Sequence, residues 1–425
     1  MLPGYAVGVI RSVVRSPITV WIAFILVHLW LGLVNLYAPS APLGDVTYVY
    51  KFWTDQATQA HFWVGIDSVW VYPILAIVPM LAAAAFGPEQ HGSTWLTIIL
   101  LLNAVAFGFV TGWGRARERI AVAWWWVGFL LLLGPIALGR IDSVTIPLAL
   151  VGVLLIATRP RAAAVILAVG MWVKVWPAAL VGAALIALRD RARILGVVLV
   201  VSGAIIVVAL FLGSGLNVLS FVTQQTGRGV QVEAPVATFW LWRALAGAGG
   251  GYVYYDQEIL TYQVRGDGID VAAAVMTPLL AVIVIAVVVL GVRATRAGAS
   301  SGDLFPALSL ALVTTLIAVN KVGSPQFISW LAAPIILGLI GYPETWRRPA
   351  ALALVMAGLT QLIYPYFYNG LLTGSATMVL VLTVRNLLEL VLLTWMVLRL
   401  VRLGSGTGQP FVRSDPSTHR SILKE

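Results

Sequence analysis

Polar side chains in this sequence gather in a few short segments between long apolar runs. The first such segment, residues 44–50 (Gly-Asp-Val-Thr-Tyr-Val-Tyr), follows the first apolar run by only a few residues. A carboxylate there acts as a general base when it reaches a substrate hydroxyl, which makes Asp45 the first catalytic candidate. Most loop carboxylates are simply solvated, and Asp55, Asp67 and His61 are alternatives in the same loop.

Two lysines lie in other polar segments and are candidates for binding an anion. Lys174 stands in a Trp-Val-Lys-Val-Trp-Pro segment, and Lys321 stands in residues 320–327 (Asn-Lys-Val-Gly-Ser-Pro-Gln-Phe). A phosphate would give both cations a partner, and Ser324 and Gln326 would add hydrogen bonds to the phosphate or to sugar hydroxyls. The alternatives are a Lys174 side chain that snorkels to the membrane interface and a Ser-Pro turn that starts a helix.

Two further features have both a structural and a functional interpretation. Tyr72, which precedes a proline, is typical of an aromatic anchor at a membrane interface. Arg385 and Glu389 stand four residues apart inside the last apolar run, where they can pair with each other. A charge inside a membrane span is a functional hypothesis by default, so Arg385 is also a candidate phosphate ligand.

The composition is that of a membrane protein. Of the 425 residues, 60% are hydrophobic and only 10% are charged, against about 25% charged residues in soluble proteins. Runs such as 194–213 contain no charge, and about 20 apolar residues cross a bilayer as a helix. The runs are continuous rather than alternating, which excludes barrel strands and predicts an all-α polytopic membrane protein.

Several functional classes are excluded by absent motifs. The chain has no cysteine, so disulfides and thiolate metal sites are ruled out. It has no Walker sequence, no dinucleotide-binding glycine pattern after a strand and no His-Glu-x-x-His motif, and we expect neither a cofactor nor a required metal. The net charge of +10 lies in short loops, where it indicates membrane topology rather than a nucleic-acid partner.

The arginine groups predict the topology, because basic loops remain in the cytoplasm. Arg11 and Arg15 place the N-terminus inside. Pairing the apolar runs between later arginine groups gives about twelve spans, within a range of roughly 10 to 13, and puts both ends inside. The predicted spans are 17–37, 94–113, 120–138, 143–157, 161–173, 176–188, 194–213, 271–292, 304–319, 327–341, 349–366 and 377–400.

Some segments depart from simple crossings. The pair 161–173 and 176–188 is too short for complete spans, and segment 68–87 is predicted to lie on the outer face or dip into it. The chain is thus expected to form one transmembrane domain at 1–403, with long outer loops at 39–93 and 214–270. A Gly/Ser/Pro-rich tail at 404–425 is predicted to be disordered in the cytoplasm.

The order of these elements resembles glycosyltransferase family 87, membrane mannosyltransferases of the GT-C superfamily that are frequent in actinobacteria. The family pattern has an aspartate with tyrosines in the first outer loop, a tyrosine-proline element, a lysine shortly before a proline, and a Ser-Pro-Gln-aromatic turn. The matching residues here are Asp45 with Tyr48 and Tyr50, Tyr72-Pro73, Lys174 before Pro177, and Ser324-Pro325-Gln326-Phe327. Ile74 stands where the family usually has a second proline.

The resemblance implies a GT-C-like helical bundle in a bacterial plasma membrane with a catalytic site on the outer face. It implies transfer of a sugar, most often mannose, from a polyprenyl-phosphate donor to a glycolipid or glycan acceptor of the cell envelope. Asp45 would be the base of an inverting single displacement. The leaving phosphate would be stabilised by Lys174 and Lys321, with Arg385 behind them. Tyr48, Tyr50 and Gln326 would contact the sugar, and Tyr72 and Ser324 complete the predicted substrate-binding set.

Two other functions use the same residues. A transporter or flippase for a lipid-linked or small polar solute would bind its cargo with the lysines and would not need Asp45 as a base. No internal repeat is visible in the sequence, and the polar clusters stop at the outer half, whereas a transporter needs a polar path to the cytoplasm. A structural subunit of an envelope complex would give no reason for polar turns gathered on one face.

Overall fold

The computed structural model describes residues 15–224 and 227–406. Within these ranges nearly all regular structure is helical, and apolar helices pack around one large core. The chain is an all-α, multi-pass membrane protein, as its composition predicts. Arg11 and residues 407–425 lie outside the described ranges, so the inside position of the N-terminus and the disordered tail remain predictions.

The helices of the described chain follow in order, joined by short 3-10 and π-helical turns. They are α1 Pro17–Tyr37, α2 Lys51–Gln59, α3 Ile77–Ala83, α4 His91–Thr111, α5 Ile120–Leu133, α6 Asp142–Leu155, α7 Pro160–Val173, α8 Ala178–Ala187, α9 Arg191–Phe211, α10 Ser220–Thr223, α11 Thr238–Leu245, α12 Ile269–Arg296, α13 Ser301–Ala318, α14 Ala332–Gly341, α15 Pro343–Gln361, α16 Tyr368–Leu372 and α17 Ala376–Gly404.

Eight helical segments of the described chain are long and apolar enough to cross a bilayer. They are Pro17–Tyr37, Pro88–Gly114, Arg117–Ala137, Arg191–Phe211, Ile269–Arg296, Ser301–Ala318, Pro343–Tyr366 and Ala376–Gly404. The expected number of about twelve spans is therefore not confirmed. The other four predicted spans, 143–157, 161–173, 176–188 and 327–341, correspond to shorter apolar helices.

Length is the physical reason for this difference. The 14 residues of α6 or of α7 extend roughly 21 Å at 1.5 Å per residue, whereas the hydrocarbon core is about 30 Å thick. The predicted outer-face segment 68–87 is also short, because its apolar helix covers only Ile74–Ala83. That agrees with the expectation that this segment does not cross.

Three helices of the described chain form the interior of the bundle. α6 is buried along almost its whole length, as are α13 and α14, whereas α9 and α12 leave most of their apolar side chains uncovered by protein. Close approach of α6 to α7 depends on Gly152, since a Cβ there would lie 2.7 Å from the Leu167 side chain. At the other end of the pair, Asp142 at the start of α6 meets Lys174, which follows α7.

The described part of the loop 214–270 is folded and contains the only two strands of the described chain. β1 Tyr252–Asp256 and β2 Thr261–Arg265 pair antiparallel as a hairpin. Backbone hydrogen bonds join β2 to residues 230–232, which lie along its other edge. No strand is expected here from the sequence, because each strand is only five residues long and its pairing with residues 230–232 is tertiary.

Candidate active site

Asp45 begins the π-helical turn Asp45–Tyr50 that follows α1. Its carboxylate oxygen Oδ2 lies 3.1 Å from Nε of Arg140, in the connection between α5 and α6. The Arg140 side chain is buried, whereas the Asp45 side chain is 41% exposed. Within the described residues no hydrogen bond engages the second oxygen, Oδ1. This oxygen is open to a proton from a hydroxyl that approaches from solvent.

The Arg140 guanidinium is fixed by several acceptors. Nη1 donates to the backbone carbonyls of Pro42 at 2.9 Å and Gly139 at 2.8 Å, and Nη2 donates to the Tyr364 hydroxyl at 2.7 Å. Burial alone would lower the pKa of Arg140, but the charge of Asp45 and the contact with Tyr364 outweigh it and raise this pKa above its ordinary value. The guanidinium is thus a permanent cation that orients the Asp45 carboxylate.

Tyr50 is buried and Tyr48 is not. The Tyr50 hydroxyl accepts a hydrogen bond of 3.1 Å from the backbone N–H of Ile141, which ties the π-helical turn to the start of α6. Burial raises the pKa of Tyr50 well above its ordinary value, and Tyr72 and Asp45 raise it further. Tyr48 is 72% exposed on the surface. Of these two predicted sugar contacts, Tyr50 therefore lies at the centre of the site and Tyr48 at its periphery.

Lys174 lies at the end of α7, where the chain breaks before α8. Its ammonium nitrogen is 3.8 Å from Oδ2 of Asp142, the first residue of α6, whose side chain is only 1% exposed. The other Asp142 oxygen, Oδ1, accepts a hydrogen bond of 2.7 Å from the Trp330 indole. The lysine predicted to bind phosphate therefore has one partner inside the protein, and an ammonium group carries three donors.

Aromatic rings surround Lys174. Its ammonium lies 4.5 Å from the centroid of the Tyr72 ring and 5.9 Å from that of Phe327, positions that favour cation–π attraction. Phe327 stacks on Trp330 with a centroid distance of 4.1 Å, and Tyr72 meets Tyr50 edge-on at 6.4 Å. The two tyrosines thus connect this ammonium to the turn that carries the carboxylate.

Lys321 is buried near a second cation, Arg228. Burial lowers the pKa of Lys321, and the positive charge of Arg228 lowers it further. Burial also lowers the pKa of Arg228, against the opposing influence of Tyr72 and Asp256. The Nε atom of Arg228 is buried and has no hydrogen-bond partner in the described chain. Neighbouring cations disfavour each other, so this pair is suited to an anion such as phosphate.

The turn that carries Lys321 packs against residues 230–234. The Ser324 hydroxyl donates to the Gln231 side-chain oxygen at 3.1 Å, and the Gln231 backbone N–H donates to the Lys321 carbonyl at 2.9 Å. Gln326 is half-buried in the same turn. Ser324 thus holds the neighbouring loop in this structure, and the role of the Gln326 side chain as a ligand remains a prediction.

Arg385 lies deep in α17 and is engaged by protein groups. Its Nη1 is 3.1 Å from Oε1 of Glu389, the i,i+4 pairing considered from the sequence, and its Nη2 donates to the Glu233 carbonyl at 2.6 Å. The Tyr368 hydroxyl donates to the Glu233 carboxylate at 2.6 Å. Burial raises the pKa of Glu233 even though Tyr368 lowers it. Arg385 therefore contacts the candidate site indirectly. It binds residues 230–234, the segment that Lys321 and Ser324 also contact.

The alternative groups of the first outer loop have local partners or lie on the surface. Asp55 pairs with Lys51 at 2.6 Å, and Asp67 accepts a hydrogen bond of 2.7 Å from the backbone N–H of Trp63. His61 is exposed. Asp45 differs from these residues because its partner comes from a distant part of the chain.

Four residues of this site are missing from the sequence prediction: Arg140, Asp142, Arg228 and Tyr364. Arg140 and Arg228 stand in segments that the predicted topology puts outside, where basic residues are disfavoured. A basic residue in a predicted outer segment is therefore the signal that could have identified both arginines. Asp142 and Tyr364 carry no such signal, because their partners are distant in sequence.

Among the described residues, no group of three or more histidine, aspartate or glutamate side chains is placed to hold a metal ion. No protein-family model matches the chain, and no curated protein matches it. The function is therefore inferred from the geometry of the site and from the residues that form it.

Proposed function

We propose that this chain is a GT-C-like glycosyltransferase of a bacterial plasma membrane. It moves a sugar, with mannose as the first candidate, from a polyprenyl-phosphate donor to a glycolipid or glycan acceptor on the outer face. The observation that carries the proposal is a half-exposed carboxylate, Asp45, oriented by a buried arginine and connected through Tyr50 and Tyr72 to several cations.

In this reaction Asp45 accepts the proton of an acceptor hydroxyl. The hydroxyl oxygen forms a bond to the anomeric carbon on one face while the bond from that carbon to the phosphate oxygen breaks on the other. Polyprenyl phosphate leaves with the electron pair, and the anomeric configuration inverts. The free Oδ1 of Asp45 and the fixed Arg140 suit this role, because a general base must be held within hydrogen-bond reach of the hydroxyl.

The leaving phosphate gains negative charge as the bond breaks, so cations at that position stabilise the transition state more than the bound donor. Four cations, Arg140, Lys174, Arg228 and Lys321, lie in this region with the carboxylates of Asp45, Asp142 and Asp256, so positive charge is in excess by one among these seven groups. A phosphate monoester carries a charge of about −1.5 to −2 at neutral pH. The surplus of positive charge therefore has the sign that favours the product phosphate.

The test is transfer of radiolabelled mannose from synthetic polyprenyl-phosphate mannose to envelope glycolipids. Membranes with the intact chain are compared with membranes that carry Asp45→Asn or Asp55→Asn at equal protein levels. Loss of a general base costs about 10²- to 10⁴-fold in rate, so Asp45→Asn should abolish detectable transfer. Asp55→Asn is the matched control and should retain transfer, because the ion pair of Asp55 in the described chain is with Lys51, four residues away on the same helix.

Other outcomes would change the assignment. Equal transfer by Asp45→Asn and the intact chain would show that Asp45 is not the base. Absence of transfer even by the intact chain would contradict mannose transfer to these acceptors. Movement of the lipid-linked sugar across vesicles by the intact chain, without formation of a glycoside, would support the flippase alternative.

A further inference from the structure

A large groove opens at the arginine-rich end of the bundle, away from the candidate active site. It begins at the first turn of α13, whereas Lys321 follows the last turn of the same helix. The 18 residues of α13 separate the two places by roughly 27 Å. The groove encloses about 1430 Å³, more than the roughly 300–1,000 Å³ of ordinary small-molecule sites.

Three parts of the fold form its walls. The turn between α12 and α13 forms one side, the start of α15 forms the second, and one face of α17 forms the third. The α17 face presents apolar side chains, among them Leu387, Leu390 and Leu398, each between 42% and 54% exposed. The opposite end of the groove carries arginines. The groove is thus apolar along α17 and cationic at its mouth.

The charges at the mouth do not cancel. Arg399 pairs with Asp303 at 2.9 Å and also lies over the Trp346 ring. Arg348 and Arg402 line the same mouth, and neither forms an ion pair with any residue of the described chain. Two guanidinium groups are therefore available to an anion, and guanidinium groups bind phosphate with paired hydrogen bonds.

The dimensions match one leaflet of a membrane. Leu387 and Arg402 are separated by 15 residues of α17, which corresponds to roughly 22 Å along the helix axis. Half of a bilayer that is about 40–45 Å thick, head groups included, is about 20–22 Å. The apolar wall therefore lies at the depth of acyl chains, and Arg402 lies at the depth of the phosphate groups on the side that basic residues mark as cytoplasmic.

We propose that this groove binds an anionic glycerophospholipid of that leaflet, with its acyl chains along α17 and its phosphate between Arg348 and Arg402. The inference does not depend on the transferase function. Residues 407–425 are a poorer occupant, because they contain three cations and two acidic side chains and so bring no net negative side-chain charge to a cationic mouth.

The test compares lipids that differ in head group alone. The purified full chain in neutral detergent is titrated with dioleoyl phosphatidylglycerol or dioleoyl phosphatidylcholine, and bound lipid is counted by native mass spectrometry. The double variant Arg348→Gln, Arg402→Gln is compared with the control Arg296→Gln, Arg347→Gln, which removes two exposed arginines that do not line the groove. Each arginine near an anionic lipid contributes about 1 kcal/mol, so the groove variant should bind phosphatidylglycerol roughly 30-fold more weakly.

The control variant should bind phosphatidylglycerol as the unchanged chain does, and all forms should melt at the same temperature without lipid. Equal binding of the two lipids, or an equal loss in both double variants, would overturn the proposal. Displacement of the lipid by inorganic phosphate at the same concentration would also overturn it, since the acyl chains would then contribute nothing. A photo-crosslinking residue at Leu390 should yield a lipid adduct, and a crosslink to residues 407–425 would show that the tail fills the groove.

Discussion

Lys321 is buried, and the positive charge of the half-buried Arg228 acts on it. Burial and the Arg228 charge both lower the pKa of Lys321, which means that the folded protein holds this proton less firmly than a free lysine does. A bound phosphate would relieve the repulsion, because each cation would then face an anion. At the scale of single residues, the pH dependence of polyprenyl-phosphate binding is therefore the property to measure.

Affinity for polyprenyl phosphate should fall as the pH rises through the lowered pKa of Lys321, because the ammonium then loses its charge. In Arg228→Gln the repulsion is gone, so the pKa of Lys321 moves up toward the ordinary lysine value of about 10.4. Binding should weaken by about tenfold at neutral pH, since one charged hydrogen-bond donor is lost, yet persist to higher pH. Titration of the purified chain with a short-chain polyprenyl phosphate across this pH range gives both quantities.

Arg243→Gln is the matched control, because Arg243 lies in the same outer loop and pairs with exposed Asp267. It should change neither the affinity nor the pH at which binding is lost. The coupling between the two cations would be contradicted if Arg228→Gln lost its affinity for polyprenyl phosphate at the same pH as the unchanged chain, or at a lower pH.

At the scale of elements, the turn that carries Lys321 contacts residues 230–234 through main-chain atoms on both sides. A Cβ on Gly323 would lie 2.3 Å from both N and Cα of Ala234 and 2.6 Å from the Glu233 carbonyl carbon. Rotation of a side chain cannot relieve this clash, since the atoms that the Cβ would meet belong to the main chain of Glu233 and Ala234. The glycine is therefore what allows the turn and residues 230–234 to hold the cations together.

Gly323→Ala should force these two segments apart and cost about 1–3 kcal/mol of stability, the usual range for overpacking. It should also lower sugar transfer, because Lys321 and Arg228 would separate. The comparison is Gly203→Ala in α9, where no atom lies within 4 Å of the added Cβ. Thermal unfolding in detergent and the transfer assay should distinguish the two variants, and identical behaviour would refute the role of the close contact.

The positions of most elements follow from the sequence, but their lengths and contacts do not. The predicted span 17–37 coincides with α1, and the predicted 194–213 overlaps α9 closely. The sequence fails to distinguish α6 from a complete span because a helix surrounded by protein is as apolar as one surrounded by lipid. The pairing of Asp45 with Arg140 is likewise invisible in the sequence, since it depends on how α1 and α5 pack.

At the scale of the whole molecule, the connections fix how the short helices run. If the arginine groups share one face, α5 ends on the opposite face and α9 begins on the arginine face. The three helices α6, α7 and α8 join these points, so each must lead from one side of the bundle to the other. They do so without the length of a full span.

Labelling of single cysteines tests this arrangement, and the chain has no cysteine of its own. Glu258→Cys, at the exposed tip of the hairpin, should react with a membrane-impermeant maleimide in intact cells. Thr158→Cys, between α6 and α7, and Arg347→Cys, near the start of α15, should react only after lysis. All three positions are exposed in the structure. Reaction of Thr158→Cys in intact cells would mean that α6 and α7 do not connect the two faces.

The shortness of α6 and α7 also sets the depth at which chemistry takes place. The turn around Thr158 at the arginine end joins the two helices, and each extends roughly 21 Å from it, which leaves Asp142 and Lys174 about 9 Å below the far edge of a 30 Å hydrocarbon layer. Asp142 and Lys174 then lie below the level of the lipid head groups rather than among them. An acceptor hydroxyl has to reach toward that depth to react, so how far the terminal unit of an acceptor extends below the head groups would decide what this protein can modify.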